Sequence, residues 1–206
     1  MLNFDLAISC AVPAVAAIVI FNKVPSTYRP FIYTLWLAVV VEIVAKIFFR
    51  SALGLAIDYN LFFITNLILF LWFFKINKIF SATVAYCIFG VAVLLHSFEI
   101  YQAGYFKMCM RTSAFESVVI LIGCINLLST IILETHRSLL TDFQFIMLIA
   151  TIINCSFDLL NISISWTMPL ESIIQNKVAR IYYVVNALTY LFIFYGILCL
   201  KWKKNY

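Results

Sequence analysis

Seven apolar runs occupy almost the whole chain, and they restrict the folds that it can adopt. The runs, numbered here as spans 1 to 7, cover residues 4–21, 31–49, 57–74, 79–97, 114–133, 143–165 and 179–200. An α-helix rises 1.5 Å per residue, so each span is long enough, or nearly so, to cross the ~30 Å hydrocarbon core of a bilayer. Because 65% of the residues are hydrophobic and 11% are charged, the composition is that of a polytopic membrane protein. We predict an all-α fold in which residues 1–206 form one bundle of seven transmembrane helices.

The basic residues between the spans predict the orientation of the bundle. With the N-terminus outside, the inner loops carry more of them than the outer loops. The inner side receives Lys23, Arg29, Lys75, Lys78, Arg137, Lys201, Lys203 and Lys204, and the outer side receives Arg50, Lys107, Arg111, Lys177 and Arg180. Because cytoplasmic loops are enriched in Lys and Arg, this bias favours an N-out, C-in topology.

Two parts of the chain resemble each other. Residues 61–66 in span 3 match residues 181–186 in span 7, and residues 22–27 match residues 136–141. Glu42 in span 2 also lies close to the place that Asp158 occupies in span 6. We therefore predict two parallel repeats, residues 1–78 and 114–204, which are joined by a linker helix over residues 79–97 and related by an axis along the membrane normal.

This three-plus-one-plus-three layout with an outside N-terminus is similar to that of the SWEET and PQ-loop transporters. The Pro-Gln dipeptide that marks that group is absent, because none of the four prolines precedes Gln. No functional residue is therefore transferred from it. A retinal pigment would need a lysine in the middle of span 7, and span 7 has none.

A polar stripe on span 6 is the strongest functional signal. Its members are Thr151, Asn154, Asp158, Asn161 and Ser165. Their spacing of three and four residues puts them on one face of a helix, and lipid cannot satisfy such a face. The stripe predicts a polar intramembrane cavity with Asp158 at its centre. Asp158 would be protonated or paired with Lys46 or Arg180, and the alternative is an interhelical hydrogen bond that only holds spans together.

Span 2 adds a pair of opposite charges to the candidate cavity. Glu42 and Lys46 are four residues apart, so they share one helix face and can pair. Glu42 would contribute to binding a solute or a proton. The alternative is a structural ion pair in which the Lys46 side chain extends towards the membrane interface.

Spans 3 and 7 carry asparagines at matching repeat positions, Asn66 and Asn186. Tyr182, Asn186 and Thr189 share one face of span 7, which gives a second polar stripe that could oppose the one on span 6. These residues could line a pseudo-symmetric site. The alternative is packing at the interface between the repeats.

Three titratable residues lie at the outer ends of spans 4 and 5, namely His96, Glu99 and Glu116. They are candidates for a gate or a pH sensor, and the alternative is an ordinary wet boundary. Most polar residues fall in the outer half of the spans. The predicted cavity therefore opens outward and is closed by apolar side chains on the inner side.

Catalytic and metal-binding signals are weak. The chain has no H-E-x-x-H or G-x-S-x-G motif, no glycine-rich phosphate loop and no C-x-x-C spacing. A soft metal could bind Met108, Cys109 and Met110, but an amphipathic loop is the simpler interpretation. The net charge of +5 reflects basic loops, not a nucleic-acid surface. We expect no enzyme activity, no cofactor and no metal.

The function that these features favour is small-solute transport, in which one repeat rocks against the other. The alternatives are a receptor-like or accessory protein that binds a ligand or partner, and a structural subunit of a membrane complex. The expected partners are the lipid bilayer, a small-molecule or ion ligand, and a protein partner or a second copy. Frequent Ile, Phe, Asn, Lys and Tyr point to an AT-rich genome and hence to a bacterial inner membrane.

Overall fold

The computed structural model describes residues 2–47, 52–104, 107–134, 139–167 and 173–202. Within these residues the chain forms seven α-helices, three short 3₁₀ turns and no β-strand. The helices are α1 (Leu2–Ile20), α2 (Arg29–Ile47), α3 (Ala52–Ile76), α4 (Ala82–Ala103), α5 (Met110–Glu134), α6 (Phe143–Thr167) and α7 (Ile173–Trp202). Each predicted span overlaps one of these helices, so the all-α prediction is confirmed.

Six of the described helices are long and apolar enough to cross a membrane. Their spanning segments are Ser26–Val44, Ala56–Ile76, Ala82–Gln102, Met110–Leu133, Phe143–Trp166 and Arg180–Leu200. A shorter apolar segment, Ala11–Lys23, covers the second half of α1 and the 3₁₀ turn that follows it. This is the pattern of an integral multi-pass membrane protein. The N-out orientation and the internal repeat stay predictions.

Side-chain caps and one glycine explain several helix ends. The Ser81 hydroxyl accepts a hydrogen bond from the Val84 N–H at 3.3 Å and begins α4. At the other end of α4, Gly104 adopts a φ of 83°, which favours glycine, and its N–H donates to the Ile100 carbonyl. A carboxylate oxygen of Asp142 accepts from the Gln144 N–H at 2.8 Å and begins α6.

Close contacts divide the chain into two compact units. The terminal unit comprises Met1–Val24 and Ser117–Tyr206, and the central unit comprises Pro25–Glu116. In the terminal unit α7 packs against both α6 and α1, and in the central unit α3 packs against both α2 and α4. These boundaries differ from the predicted repeats, because α1 groups with α6 and α7 and not with α2 and α3.

Aromatic rings on α2, and on Tyr28 directly before it, pack against α3 in the central unit. The Tyr28 and Phe73 ring centroids are 5.1 Å apart and those of Phe31 and Phe70 are 5.9 Å apart, both edge to face. Tyr28 and Phe73 are fully buried. Edge-to-face pairs each add about 0.5–1.5 kcal/mol beyond the burial of their area. The pairs also fix the antiparallel register of the two helices, since positions rise along α2 as they fall along α3.

Candidate functional site

The register between α6 and α7 brings two polar stripes together in the terminal unit. A Cβ atom added at Gly196 of α7 would lie 3.2 Å from Ile146 of α6. Further along, the Tyr182 hydroxyl hydrogen-bonds the carboxyl of Asp158. Positions therefore rise along α6 as they fall along α7, which makes the two helices antiparallel. The same register places Asn154 level with Asn186, and Thr151 level with Thr189.

We call this set of facing residues the polar seam. It comprises Thr151, Asn154 and Asp158 on α6 and Tyr182, Asn186 and Thr189 on α7. Asp158 also accepts a hydrogen bond from the Asn154 amide at 3.4 Å, so its carboxylate is contacted from its own helix and from α7. Asn161 and Ser165 continue the stripe towards the end of α6, where the Ser165 hydroxyl donates to the Asn161 carbonyl at 2.8 Å.

Two oxygen atoms of the polar seam lack a hydrogen-bond partner within the described part of the chain. They are the amide oxygen of Asn154 and the hydroxyl of Thr189, and both atoms are buried. Thr189 as a residue is only 5% exposed. Thr151 differs, because its hydroxyl donates to the Met147 carbonyl of its own helix at 2.9 Å. A buried polar group without a partner lowers the stability of the folded state by about 1–3 kcal/mol. The two oxygens of the seam can therefore still form hydrogen bonds.

Asn66 of the central unit has a partner on another helix of that unit. Asn66 of α3 donates its amide to Glu116 of α5 at 2.7 Å, and Glu116 is only 4% exposed. Asn66 and Asn186, which the sequence pairs as repeat equivalents, belong to different units. In this structure the contact of Asn66 is a carboxylate on a neighbouring helix of its own unit.

Glu42 has a partner on the neighbouring helix. The Tyr59 hydroxyl of α3 donates to the Glu42 carboxylate at 3.4 Å. The side chain of Lys46 lies outside the described side chains, although its position on α2 is described. The Glu42–Lys46 pair therefore stays a prediction.

Glu99 caps the start of α5. Its carboxylate accepts from the Arg111 N–H at 2.8 Å, from the Thr112 N–H at 2.8 Å and from the Thr112 hydroxyl at 2.7 Å. A carboxylate at a helix N-terminus satisfies N–H groups that have no partner inside the helix. These contacts give Glu99 a structural role at the α4–α5 connection. His96, one turn earlier on α4, has a buried Nδ1 without a partner among the described residues.

Asn60, which no sequence pattern singled out, fixes the segment before α5. Its amide donates to the Lys107 carbonyl at 2.9 Å, and its side-chain oxygen accepts from the Cys109 N–H at 2.8 Å. Cys109 is buried, and burial, with a smaller contribution from the Glu99 carboxylate, raises the pKa of its thiol to about 11. Met108 beside it is exposed.

Asp58, also missed, is 8% exposed, and one of its carboxylate oxygens is buried without a partner among the described residues. The available signal was the run Asp58-Tyr59-Asn60, three polar residues at the start of an apolar span. The described residues contain no group of three His, Cys, Asp or Glu side chains that could hold a metal ion.

The polar seam therefore has a carboxylate, a tyrosine bound to it from the facing helix, and two buried oxygens that can accept hydrogen bonds. This arrangement can bind a small polar or charged molecule that brings its own donors. The carboxylates of Glu42, Glu99 and Glu116 in the central unit already contact neighbouring elements. No protein-family model matches the chain, and no curated protein or solved structure matches it either.

Proposed function

We propose that this protein is a small-solute transporter and that the polar seam between α6 and α7 binds the solute. The observation that carries the proposal is the contact of Asp158 with Tyr182 between two apolar helices. Beside it, oxygens of Asn154 and Thr189 have no partner among the described residues. A carboxylate inside a membrane is expensive and usually marks a pathway for a solute or an ion.

Incomplete hydrogen bonding supports binding over simple attachment of the helices. A seam whose only task is to hold α6 to α7 gains most when every buried donor and acceptor has a partner, because lipid offers none. The amide oxygen of Asn154 and the hydroxyl of Thr189 depart from that rule. Glu42 and Glu116 fit a structural task better, since each contacts a side chain on a neighbouring helix.

The thermal stability of the purified protein in detergent tests whether the seam binds a ligand. The panel contains sugars, amino acids, organic anions, organic cations and inorganic ions. A ligand at a hundred times its dissociation constant adds about 2.7 kcal/mol of stability. We expect at least one class to raise the melting temperature of the wild type and to have no effect on Asp158→Asn.

Ser156→Ala is the matched control for that experiment. Ser156 lies on α6 but is exposed, and its hydroxyl donates to the Ile152 carbonyl of the same helix. Its variant should respond to the ligand as the wild type does. If no class stabilises the wild type, the seam is structural and the proposed function is wrong.

Uptake into proteoliposomes then separates a transporter from a receptor. A transporter moves the stabilising ligand into sealed vesicles, and Asp158→Asn abolishes that uptake. A ligand that binds without any uptake by the wild type would identify a receptor-like or accessory protein.

The proposal includes an N-out, C-in orientation in a bacterial inner membrane. Basic residues at Lys201, Lys203 and Lys204 support it, because such residues favour the cytoplasmic side. A green fluorescent protein fused after residue 206 should fluoresce in bacterial cells, and alkaline phosphatase fused there should be inactive. The opposite pair of results would reverse the orientation.

A further inference from the structure

We propose that the solute bound by the polar seam is a small organic cation that carries an ammonium group. This inference rests on the proposed function, because it names the substrate class of the same seam. It follows from the charges of the terminal unit, from the chemistry of the unpartnered atoms and from their spacing along the helices.

The apolar stretches of the terminal unit's helices contain no basic residue. Lys, Arg and His are all missing from residues 2–22, 117–134, 143–167 and 181–200. The nearest basic residue along α7 is Arg180, two positions before Tyr182, and it is exposed. An ionised Asp158 therefore has no cationic side chain on α6 or on the apolar lengths of the other helices in its unit. A cationic ligand would supply the missing positive charge, whereas an anion would be repelled.

Helix α2 of the central unit differs, because its sequence places a basic residue near its carboxylate. Glu42 has Lys46 four positions later on the same helix, so a countercharge is available within the chain. The position four residues after Asp158 is isoleucine, Ile162. The terminal unit thus leaves its central carboxylate to be neutralised from outside the chain or by a proton.

The acceptor oxygens around Asp158 match an ammonium group. The carboxylate of Asp158 and the amide oxygen of Asn154 accept hydrogen bonds, and they lie one helical turn apart on α6. A primary ammonium offers three N–H donors and no acceptor. The ring of Tyr182 belongs to the same site, since its hydroxyl contacts Asp158, and aromatic faces attract cations.

Thr189 defines a second contact point at the other end of the seam. It lies seven residues after Tyr182 on α7, which is about 10 Å at 1.5 Å per residue. Its buried and unpartnered hydroxyl is therefore too far from Asp158 to share one ammonium group. An elongated amine with a hydroxyl or a second amine at its far end can reach both points.

The first test measures binding to the purified full-length protein by thermal shift and by isothermal titration calorimetry. The probes are butylammonium chloride, 8-amino-1-octanol hydrochloride, 1-butanol, sodium chloride and potassium chloride, with ionic strength held constant. We expect both amines to bind the wild type and 1-butanol, sodium and potassium to have no effect. Asp158→Asn should weaken both amines at least tenfold, whereas Ser156→Ala should bind as the wild type does.

Two further variants keep the test interpretable. Asp158→Glu retains the charge and should retain amine binding, so it replaces Asp158→Asn as the informative variant if the latter does not fold. Thr189→Val should weaken 8-amino-1-octanol and leave butylammonium unchanged, because only the longer amine reaches the threonine. Equal weakening of both amines would overturn the second contact point.

The outcomes separate this inference from the proposed function. Stabilisation of the wild type by sugars or organic anions alone, lost in Asp158→Asn, would overturn the cation inference and leave a transporter seam. Binding of sodium or potassium that displaces the amines would overturn an organic substrate. If no compound of either panel binds the wild type, both the inference and the proposed function fail.

Discussion

The terminal and central units solve the same physical problem in different ways. Both place carboxylates and asparagines inside apolar helices, where lipid cannot hydrogen-bond them. In the central unit Asn66 and Glu116 are partners on neighbouring helices, whereas one carboxylate oxygen of Asp58 is buried without a partner among the described residues. In the terminal unit the Asn154 oxygen and the Thr189 hydroxyl have no partner among the residues that the structure describes. Residue type alone therefore does not separate a structural contact from a binding site. What distinguishes the terminal unit is that its two unpartnered oxygens lie on the facing helices α6 and α7, beside the contact of Asp158 with Tyr182.

The reactivity of Cys109 should show how firmly the central unit closes the segment before α5. Burial raises the pKa of this thiol to about 11 from an ordinary value of 9.0. At pH 8 the reactive thiolate is then about a hundredfold scarcer than for an ordinary cysteine, and alkylation should accelerate as the pH rises towards 11. Rates of maleimide labelling in a variant that retains Cys109 alone, read by mass spectrometry, check this expectation.

The variant Asn60→Ala tests whether the contacts of Asn60 protect Cys109 from labelling. It removes the contacts that hold the backbone of Lys107 and Cys109, so labelling of Cys109 should accelerate at pH 8. A labelling rate for the parent protein equal to that of a free thiol peptide would show that the segment is open.

Asn66→Ala and Asn186→Ala compare the two units directly. The first variant removes a 2.7 Å hydrogen bond to the buried Glu116, and we expect it to lower the free energy of unfolding by about 1.5–3 kcal/mol. The second removes an amide from the polar seam and should lower it by less than about 1 kcal/mol. Unfolding titrations in mixed micelles measure both, with the exposed Asn126→Ala as the control. Equal losses at 66 and 186 would remove the distinction between the units.

Glu99→Ala should destabilise the central unit by about 1–2 kcal/mol, since helix caps contribute about that much. The loss arises from three hydrogen bonds at the start of α5. Glu99→Gln keeps an acceptor and should recover part of the stability in the same titration. If Glu99→Ala were as stable as the wild type but transported solute with an altered pH profile, the residue would be a gate and not a cap.

The glycines of α4 and α7 give the smallest expected effect. Gly90 has open space around an added Cβ, so Gly90→Ala should stabilise α4 by about 0.5–1 kcal/mol. An added Cβ at Gly196 would lie 3.2 Å from Ile146 of α6. Gly196→Ala should therefore not stabilise the protein, because crowding against α6 cancels the gain in helix stability. Melting temperatures of the two variants check the contrast, and an equal gain at both sites would mean that α6 and α7 pack loosely.

The helices were predictable from the sequence because their apolar runs are long and separated by polar residues. Span 6 was predicted at 143–165, and α6 is observed at Phe143–Thr167. The stripe through Asn154 and Asp158 was predictable for a similar reason, since a helix converts spacing into a face. The sequence also raised the possibility that the Tyr182 stripe opposes it, and the Tyr182–Asp158 contact is observed.

The partners of individual polar side chains were not predictable. The contact of Asn66 with Glu116 depends on how α3 and α5 lie side by side, and spacing within either helix carries no information about that. Glu99 can cap α5 only because α4 continues to Ala103, beyond the apolar run that ends at residue 97. Asn60 was missed because its partners are backbone groups near residue 108, which have no signature in a sequence.

The packing of α1 against α7 has a consequence for biosynthesis. Helices α1 and α7 belong to one unit, and 152 residues separate Ile20 from Ile173. At about 5–20 residues per second, a ribosome needs roughly 8–30 seconds to make that stretch. Helix α1 therefore stays in the bilayer, or bound to an insertase, until α7 has been synthesised. A nascent chain arrested before α7 would leave the α7-facing side of this helix accessible to crosslinking by lipid or insertase, and the completed chain would not.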